Sequence, residues 1–312
     1  MSTSHHDLVK GLRVVVTGAA GFVGRHVVGL GLDAGAAVCA VGRAPIAQEG
    51  CEVRVMDLQD GPSLRSFLLE WNPDAVIHLA AAGVSSGSPA LGNFLAANVL
   101  PLNTILEALH DCGQKAHLVI AGSGFEYHPQ NRPLSESDPL GPRSLYGVSK
   151  VAATMLAGTF ASRLPITVLR PFFVYGPGER EPRLVPYVIA SALRKTPVKL
   201  TPGGQVRDYL FVTDLAEGFW RVVANPPPLG EMRSVNLGGV SPMPLKNFVS
   251  ILAELLQEYG MPVAIPLGCK AYRSEEMMYY VADNSLLQRV CQWSPPTTVE
   301  AGLRQTILAM MP

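Results

Sequence analysis

The sequence predicts an α/β fold: a doubly wound parallel sheet with helices on both faces, followed by a smaller, irregular C-terminal region. Three observations carry this. Short β-branched runs alternate with helical stretches over the first 170 residues, and a glycine-rich turn follows the first of these runs. After Pro171 the alternation fades while prolines and glycines thicken (Gly176, Pro177, Gly178, Pro182, Pro186, Pro197, Pro202).

Taken in order, Arg13 to Thr17 reads as a buried strand and Phe22 to Ala34 as a helix. Ala37 to Val41 and Val53 to Val55 are further strands, Pro62 to Trp71 a helix, and Ala75 to Leu79 a fourth strand. Phe94 to Cys112 is expected as one helix, His117 to Ala121 as a strand, Tyr146 to Arg163 as a helix and Ile166 to Leu169 as a strand. Residues 1–170 are thus expected to bind a dinucleotide and 171–312 to bind substrate, with about 208–236 returning to the main sheet.

Composition narrows the function classes. The chain has 312 residues, 48% of them hydrophobic and 16% charged, with 25 basic and 25 acidic side chains. That balance argues against a nucleic-acid or anionic-membrane surface. Five scattered cysteines (Cys39, Cys51, Cys112, Cys269, Cys291) lack metal-ligand spacing and read as reduced thiols. No apolar run approaches the roughly 18 residues that span a bilayer, and the polar first ten residues carry no signal-like apolar stretch. A cytoplasmic protein without a metal site is expected.

Thr17-Gly18-Ala19-Ala20-Gly21-Phe22-Val23-Gly24 places glycines three apart between the first strand and the first helix. Glycine permits the tight turn, close backbone approach to a pyrophosphate and close helix–strand packing. Phe22 and Val23 open a helix whose unpaired N–H groups suit a phosphate. A bare tight turn is the alternative, but this position in the first strand–turn–helix unit favours a dinucleotide. The second strand ends Val41-Gly42-Arg43 with no carboxylate for a ribose 2′-hydroxyl; an arginine there suits a 2′-phosphate. NADP(H) is therefore expected over NAD(H), with Arg25 as a second cation, unless Arg43 is an ordinary surface charge.

Tyr146 and Lys150 stand at i and i+4, on one face of a helix. A phenol titrates near 10, and a neighbouring ammonium favours its phenolate, which makes the pair suitable for moving a proton at a reacting oxygen. Ser123 ends a buried strand just upstream.

These motifs, with Asp57-Leu58, the run Asp74-Ala75-Val76-Ile77-His78-Leu79-Ala80-Ala81, Asn98, Leu169 to Gly178, and Arg207 to Val212, resemble the extended short-chain dehydrogenase/reductases from Arg13 to about Leu303. The resemblance implies a Rossmann sheet and an NAD(P)-dependent oxidoreductase acting on a nucleotide-linked sugar. It implies that Ser123 joins Tyr146 and Lys150 in catalysis. It assigns Gly18, Gly21, Phe22, Val23, Gly24, Arg43, Asp57, Leu58, Leu79, Ala80, Ala81, Asn98, Tyr146, Lys150, Pro171 and Val174 to the cofactor. Ser85, Ser123, Tyr146, Phe173, Tyr175, Arg207 and Arg273 fall to the substrate, the arginines as diphosphate contacts.

Absences then select the reaction. Gly124 and Phe125 stand where the family's dehydratases carry an Asp-Glu pair, and Glu126, one residue late, points to the other face by strand alternation. All seven histidines lie at or before His128, and the cysteine of one epimerase subgroup would align with Phe125. Two readings remain: an NADPH-consuming reductase of a nucleotide-linked 4-keto-6-deoxy sugar, and a 4-epimerase that retains its cofactor. A non-catalytic, cofactor-sensing protein is the alternative of another class, but relatives of that kind lack the Tyr/Lys pair. Phe173 replaces an asparagine that contacts the diphosphate in many members, and the base is open among thymine, uracil, guanine and cytosine. Surplus apolar residues on the helices 94–112 and 146–163 (Leu95, Val99, Leu102; Met155, Leu156, Phe160) imply a homodimer, as family members pair these helices.

Overall fold

The computed structural model describes residues 9–46, 48–82, 90–111, 116–274 and 276–311. The chain begins β1 (Arg13–Thr17), α1 (Phe22–Asp33), β2 (Ala37–Gly42), β3 (Glu52–Val55), α2 (Gly61–Trp71) and β4 (Ala75–His78). It continues with α3 (Leu91–Asn98), α4 (Leu100–Asp111), β5 (His117–Ala121), α5 (Leu145–Gly158) and β6 (Ile166–Pro171). Then come β7 (Phe173–Tyr175), α6 (Leu184–Leu193), β8 (Val206–Arg207), β9 (Tyr209–Phe211), α7 (Val212–Val223) and β10 (Met232–Leu237). The chain closes with β11 (Met243–Pro244), α8 (Leu245–Glu258), β12 (Tyr279–Tyr280), α9 (Ser285–Cys291) and α10 (Val299–Met310).

Seven strands form one sheet in the order β10-β6-β5-β4-β1-β2-β3, each pair parallel. The sheet is α/β and Rossmann-like, as the sequence predicts. Val14, Val15 and Val16 are fully buried, because a parallel strand covered on both faces alternates nothing with solvent. Strand order reverses between β1 and β4. The loops leaving these strands therefore part and open a crevice at their C-terminal ends.

Helices α1, α7 and α9 pack on one face of the sheet and α2, α4 and α5 on the other. The seam between α1 and α7 is tight. The indole of Trp220 donates to the Val27 carbonyl (2.8 Å), and a Cβ at Gly31 would lie 2.1 Å from the Trp220 ring. A separate apolar cluster joins α6, α8 and α10 to Tyr175, Tyr209 and Phe211 of β7 and β9. Among the described residues, no helix is long and apolar enough to cross a membrane.

Two helices differ from expectation. The single helix expected over 94–112 is two, broken at Val99. Pro101 has no N–H to donate to Ala97, and its ring would crowd that carbonyl, so a new helix starts instead. The helix expected to reach Arg163 ends at Gly158, and 159–163 continue in tight turns with Thr159 donating its hydroxyl to the Leu156 carbonyl (2.7 Å). Gly158 and Thr159 are both weak helix formers.

Candidate active site

The crevice beside β1 and β4 is a cleft of about 450 Å³, lined by Gly18, Gly21, Arg43, Asp57, Leu58, Leu79, Ala80 and Ala81 together with Gln59, Ala97 and neighbouring backbone. Gly18 has φ +70°, and a Cβ there would sit 2.7 Å from the Ala80 amide nitrogen. A Cβ at Gly24 would lie 2.3 Å from the Gly18 carbonyl oxygen, so only glycine lets α1 approach the turn this closely. Gly21 is the N-cap of α1 and offers no capping side chain, which leaves first-turn N–H groups without a side-chain acceptor. Phe22, Val23 and Gly24 form that first turn. These features fit a dinucleotide pyrophosphate.

Two further groups set the shape of the cleft. Thr17 bonds His78 (2.7 Å) and accepts from the Ala80 amide (3.3 Å), pinning the ends of β1 and β4 together. Burial pushes His78 down to about 3, so the ring is neutral. Asn98 does not line the cleft. Its amide group clasps both the N–H and the carbonyl of Ala82 (2.7 and 3.3 Å) and donates to Ser149 of α5 (2.9 Å). Arg43 and Asp57 are exposed on the rim. Arg25 lies over the glycine turn, donating to the carbonyls of Ala20 and Gly21 (3.3 Å each). Pro171 and Val174 lie outside the lining, Val174 buried in β7.

Ser123, Tyr146 and Lys150 come together at the C-terminal end of β5. Ser144 caps α5 through the Gly147 amide (3.1 Å), which sets the helix so that Tyr146 and Lys150 face the strand end. Lys150 donates its ammonium to the Ala121 carbonyl (2.8 Å) and lies 5.8 Å from the Tyr146 ring. Burial pushes Lys150 down to about 8, against the pull of the Glu126 carboxylate. Burial drives Tyr146 up to about 12, with the Ser123 hydroxyl beside it acting the other way. The Ser123 hydroxyl also accepts from the Phe125 amide (3.2 Å), in a single 3-10 turn over 124–126.

Aromatic rings wall this centre. Phe94 and Phe125 stand edge-on to Tyr146 (6.2 and 6.3 Å), and Tyr280 stacks on Phe125 (4.9 Å) and packs against Phe172 (4.6 Å). The Tyr280 hydroxyl is buried without a hydrogen-bond partner among the described residues and faces Ser123. Nothing in the sequence marks Tyr280, because β12 is a two-residue strand whose neighbour β8 lies 73 residues earlier in the chain. Glu126, by contrast, carries a readable signal: the S-x-x-E spacing at Ser123 is that of a capping box, and both halves of the box form.

The substrate-side assignments fare unequally. Arg207 is buried on β8, with one nitrogen on the Val206 carbonyl (2.8 Å), another on Glu276 (2.5 Å), and its guanidinium 5.7 Å from the Tyr280 ring. Phe173 packs edge-on against Tyr209 (5.1 Å). Tyr175 is fully buried among Phe211 and Phe248 and donates to the Val299 carbonyl (3.2 Å), so it belongs to the second apolar cluster. Arg273 is exposed, and Ser85 lies outside the described residues.

A sequence profile described as "NAD dependent epimerase/dehydratase family" matches residues 14–238. A UDP-glucuronate 4-epimerase of Thermodesulfobacterium geofontis is 28% identical over 94% of each chain. A dTDP-glucose 4,6-dehydratase of Xanthomonas campestris is 30% identical over 80% of this chain and 76% of its own. Among solved structures, MoeE5 in complex with UDP-glucuronic acid and NAD superposes with a TM-score of 0.85 at 32% identity, covering 95% of this chain and 98% of the other. The glycine turn, the cleft it opens and these likenesses agree: the chain belongs to the NAD-dependent epimerase/dehydratase family, within the extended short-chain dehydrogenase/reductases.

Proposed function

We propose that the protein reduces the 4-keto group of a nucleoside-diphosphate-linked 4-keto-6-deoxy sugar, using NADPH. The observation that carries this reading is the convergence of Ser123, Tyr146 and Lys150 on one strand end, with Gly124 and Phe125 on the adjoining turn. Elimination of water from a sugar needs an additional acid or base there, and these two residues supply none. The phenyl ring of Phe125 is 40% exposed beside the phenol, a surface that suits a methyl group better than an ionised carboxylate.

A nicotinamide dinucleotide held in the glycine-lined cleft would supply the hydride. Tyr146, kept protonated by burial, gives its phenolic proton to the carbonyl oxygen as negative charge grows there. Ser123 donates its hydroxyl to the same oxygen and orients it. Lys150, held by the Ala121 carbonyl, stabilises the phenolate that results. Arg207 grips the diphosphate with the planar fork that Glu276 orients. Arg43, exposed on the cleft rim without a hydrogen-bond or ion-pair partner among the described residues, would hold the 2′-phosphate of NADPH.

A second reading, a 4-epimerase with retained NAD, is favoured by the exposed carboxylate of Asp57 on the same rim and by the 4-epimerase and NAD-bound relatives. A panel of nucleotide 4-keto-6-deoxy sugars and UDP-uronates, incubated with NADPH or NADH, separates the two. Stoichiometric oxidation of NADPH supports reduction; product without net oxidation, from protein purified with NAD in place, supports epimerisation. Turnover of no sugar rejects both.

We further infer that the working unit is a homodimer. Leu100 of α4 and Met155 of α5 are 61% and 66% exposed, and Leu145 and Val148 are exposed on the same helix as Met155. Apolar side chains left bare on adjoining helices suit a second copy of the chain. Met155→Glu should convert a dimer to a monomer in light scattering, whereas a monomeric parent protein refutes the inference.

A further inference from the structure

Behind Ser123 lies a carboxylate that the proposed reaction does not use. Glu126 is 0% exposed. One of its oxygens accepts from the Ser123 amide (2.8 Å); the other accepts from the Thr154 hydroxyl (2.9 Å) and from Arg170 Nε (3.0 Å). These three donors come from three elements: the turn after β5, the helix α5 and the strand β6. Thr154 is one helical turn beyond Lys150, on the same face of α5. Gly122 makes room for the arrangement, since a Cβ there would stand 2.7 Å from a Glu126 oxygen. The network runs on through Arg170 to the Tyr127 hydroxyl (2.7 Å), which donates to Asn236 of β10 (2.7 Å). Asn236 in turn ties down the segment at Leu134 and Glu136 (2.8 and 2.7 Å).

We propose that Glu126 is the positioning residue of this site: it locks Ser123 to the helix that carries Tyr146 and Lys150, and places a fixed negative charge behind the lysine. The proposal rests on the catalytic assignment above. A hydroxyl and a phenol that must meet one substrate oxygen gain from having their backbones tied to a single rigid anchor. A surface carboxylate would do neither task, because water would screen it and its side chain would wander. Here the anchor is dry, and its charge acts across a medium of low polarity.

The electrostatic consequence has a definite sign. A nearby anion favours the ammonium of Lys150 and disfavours the phenolate of Tyr146, and Glu126 acts on both in these senses. The other groups that face this centre are Arg170 on β6, His78 on β4, which is neutral, Arg183 at the start of α6, which acts on Tyr146, and Tyr280 on β12. Arg170 balances Glu126 directly, so the two enter the core as a pair.

The test titrates the side-chain nitrogen of Lys150 by NMR in the intact protein, saturated with whichever oxidised dinucleotide it binds and carrying isotope-labelled lysine, with Lys150→Met for assignment. Glu126→Gln keeps the shape and removes the charge. Its Lys150 midpoint should fall by roughly one pH unit, and the alkaline limb of the kcat profile should move by the same amount with KM nearly unchanged. Thr154→Val, which cuts only the tether to the helix, should lower kcat several-fold and leave that limb in place. Should Glu126→Gln fail to fold because Arg170 is stranded, Glu126→Gln with Arg170→Met removes both charges; a smaller drop in midpoint is then expected, since the cation that opposes the carboxylate goes with it. A midpoint that coincides with the parent's overturns the electrostatic half. Variants that melt earlier yet keep the parent kcat overturn the positioning half. The lysine titration needs no sugar, so it reads Glu126 even where the reaction proposed above fails.

Discussion

The glycine-lined cleft and the proposed substrate side next to Tyr146 are held in different ways. On the proposed cofactor side the backbone shapes the surface. Gly18 takes a positive φ, Gly24 lies against the Gly18 carbonyl, and the N-terminus of α1 presents bare N–H groups. The proposed substrate side is built from side chains brought from far apart in sequence: Arg207 on β8, Glu276 before β12, Phe125 after β5 and Tyr280 on β12. Backbone recognition leaves a pattern in the sequence, because a turn that only glycine can make excludes every other residue. Side-chain recognition leaves none, because an arginine or a phenylalanine is acceptable in many surroundings.

Four substitutions sharpen or break that contrast. The largest effect belongs to the residue shared by both sides: Tyr146→Phe should lower kcat by about 10²–10⁴-fold with cofactor affinity nearly unchanged, as followed by single-turnover kinetics and calorimetric titration. A variant with full activity would remove Tyr146 from the chemistry. Gly18→Ala should abolish measurable dinucleotide binding and destabilise the fold by about 2 kcal/mol or more in urea unfolding, since it forces a side chain into a left-handed turn against Ala80. Normal affinity in this variant would mean that the turn does not carry the cofactor.

Arg207→Lys should raise KM for the sugar nucleotide by roughly tenfold while the dinucleotide Kd stays put, because a point charge cannot reproduce a two-pronged contact. An equal loss on both ligands would break the division between the two sides. The smallest effect is expected at Arg43, which is exposed: Arg43→Asp should move the NADPH-to-NADH preference by about tenfold, read as the ratio of kcat/KM values. An unchanged ratio would favour Asp57 as the group that meets the ribose, and with it the NAD-retaining reading.

The same contrast explains what was legible in the sequence. The strands that build the sheet were readable because a fully buried parallel strand must be apolar throughout, as Val14, Val15 and Val16 are. The cleft lining around Gly18, Asp57 and Ala80 followed from the glycine spacing and from family likeness. The break at Val99 was signalled by Pro101 but masked by the apolar run around it. For Tyr175, assigned to the substrate by family likeness, the structure shows a buried ring whose hydroxyl is satisfied by the Val299 carbonyl, 124 residues away. Asn98 has a similar lesson: its amide holds the backbone of Ala82, just after β4, from behind. Tyr280 and the Arg207–Glu276 pair depend on strand pairings between distant segments, and no local periodicity encodes those.

The Trp220 seam bears on how the chain matures. One face of β1 and β2 is covered by α1, and α1 itself finishes its packing only against a helix that lies nearly two hundred residues downstream. A nascent chain that has emerged as far as β6 therefore carries an uncovered greasy flank, and the glycine turn sits at the foot of the helix bordering it. Fragments that stop short of residue 223, and so lack the helix that seals α1, should aggregate.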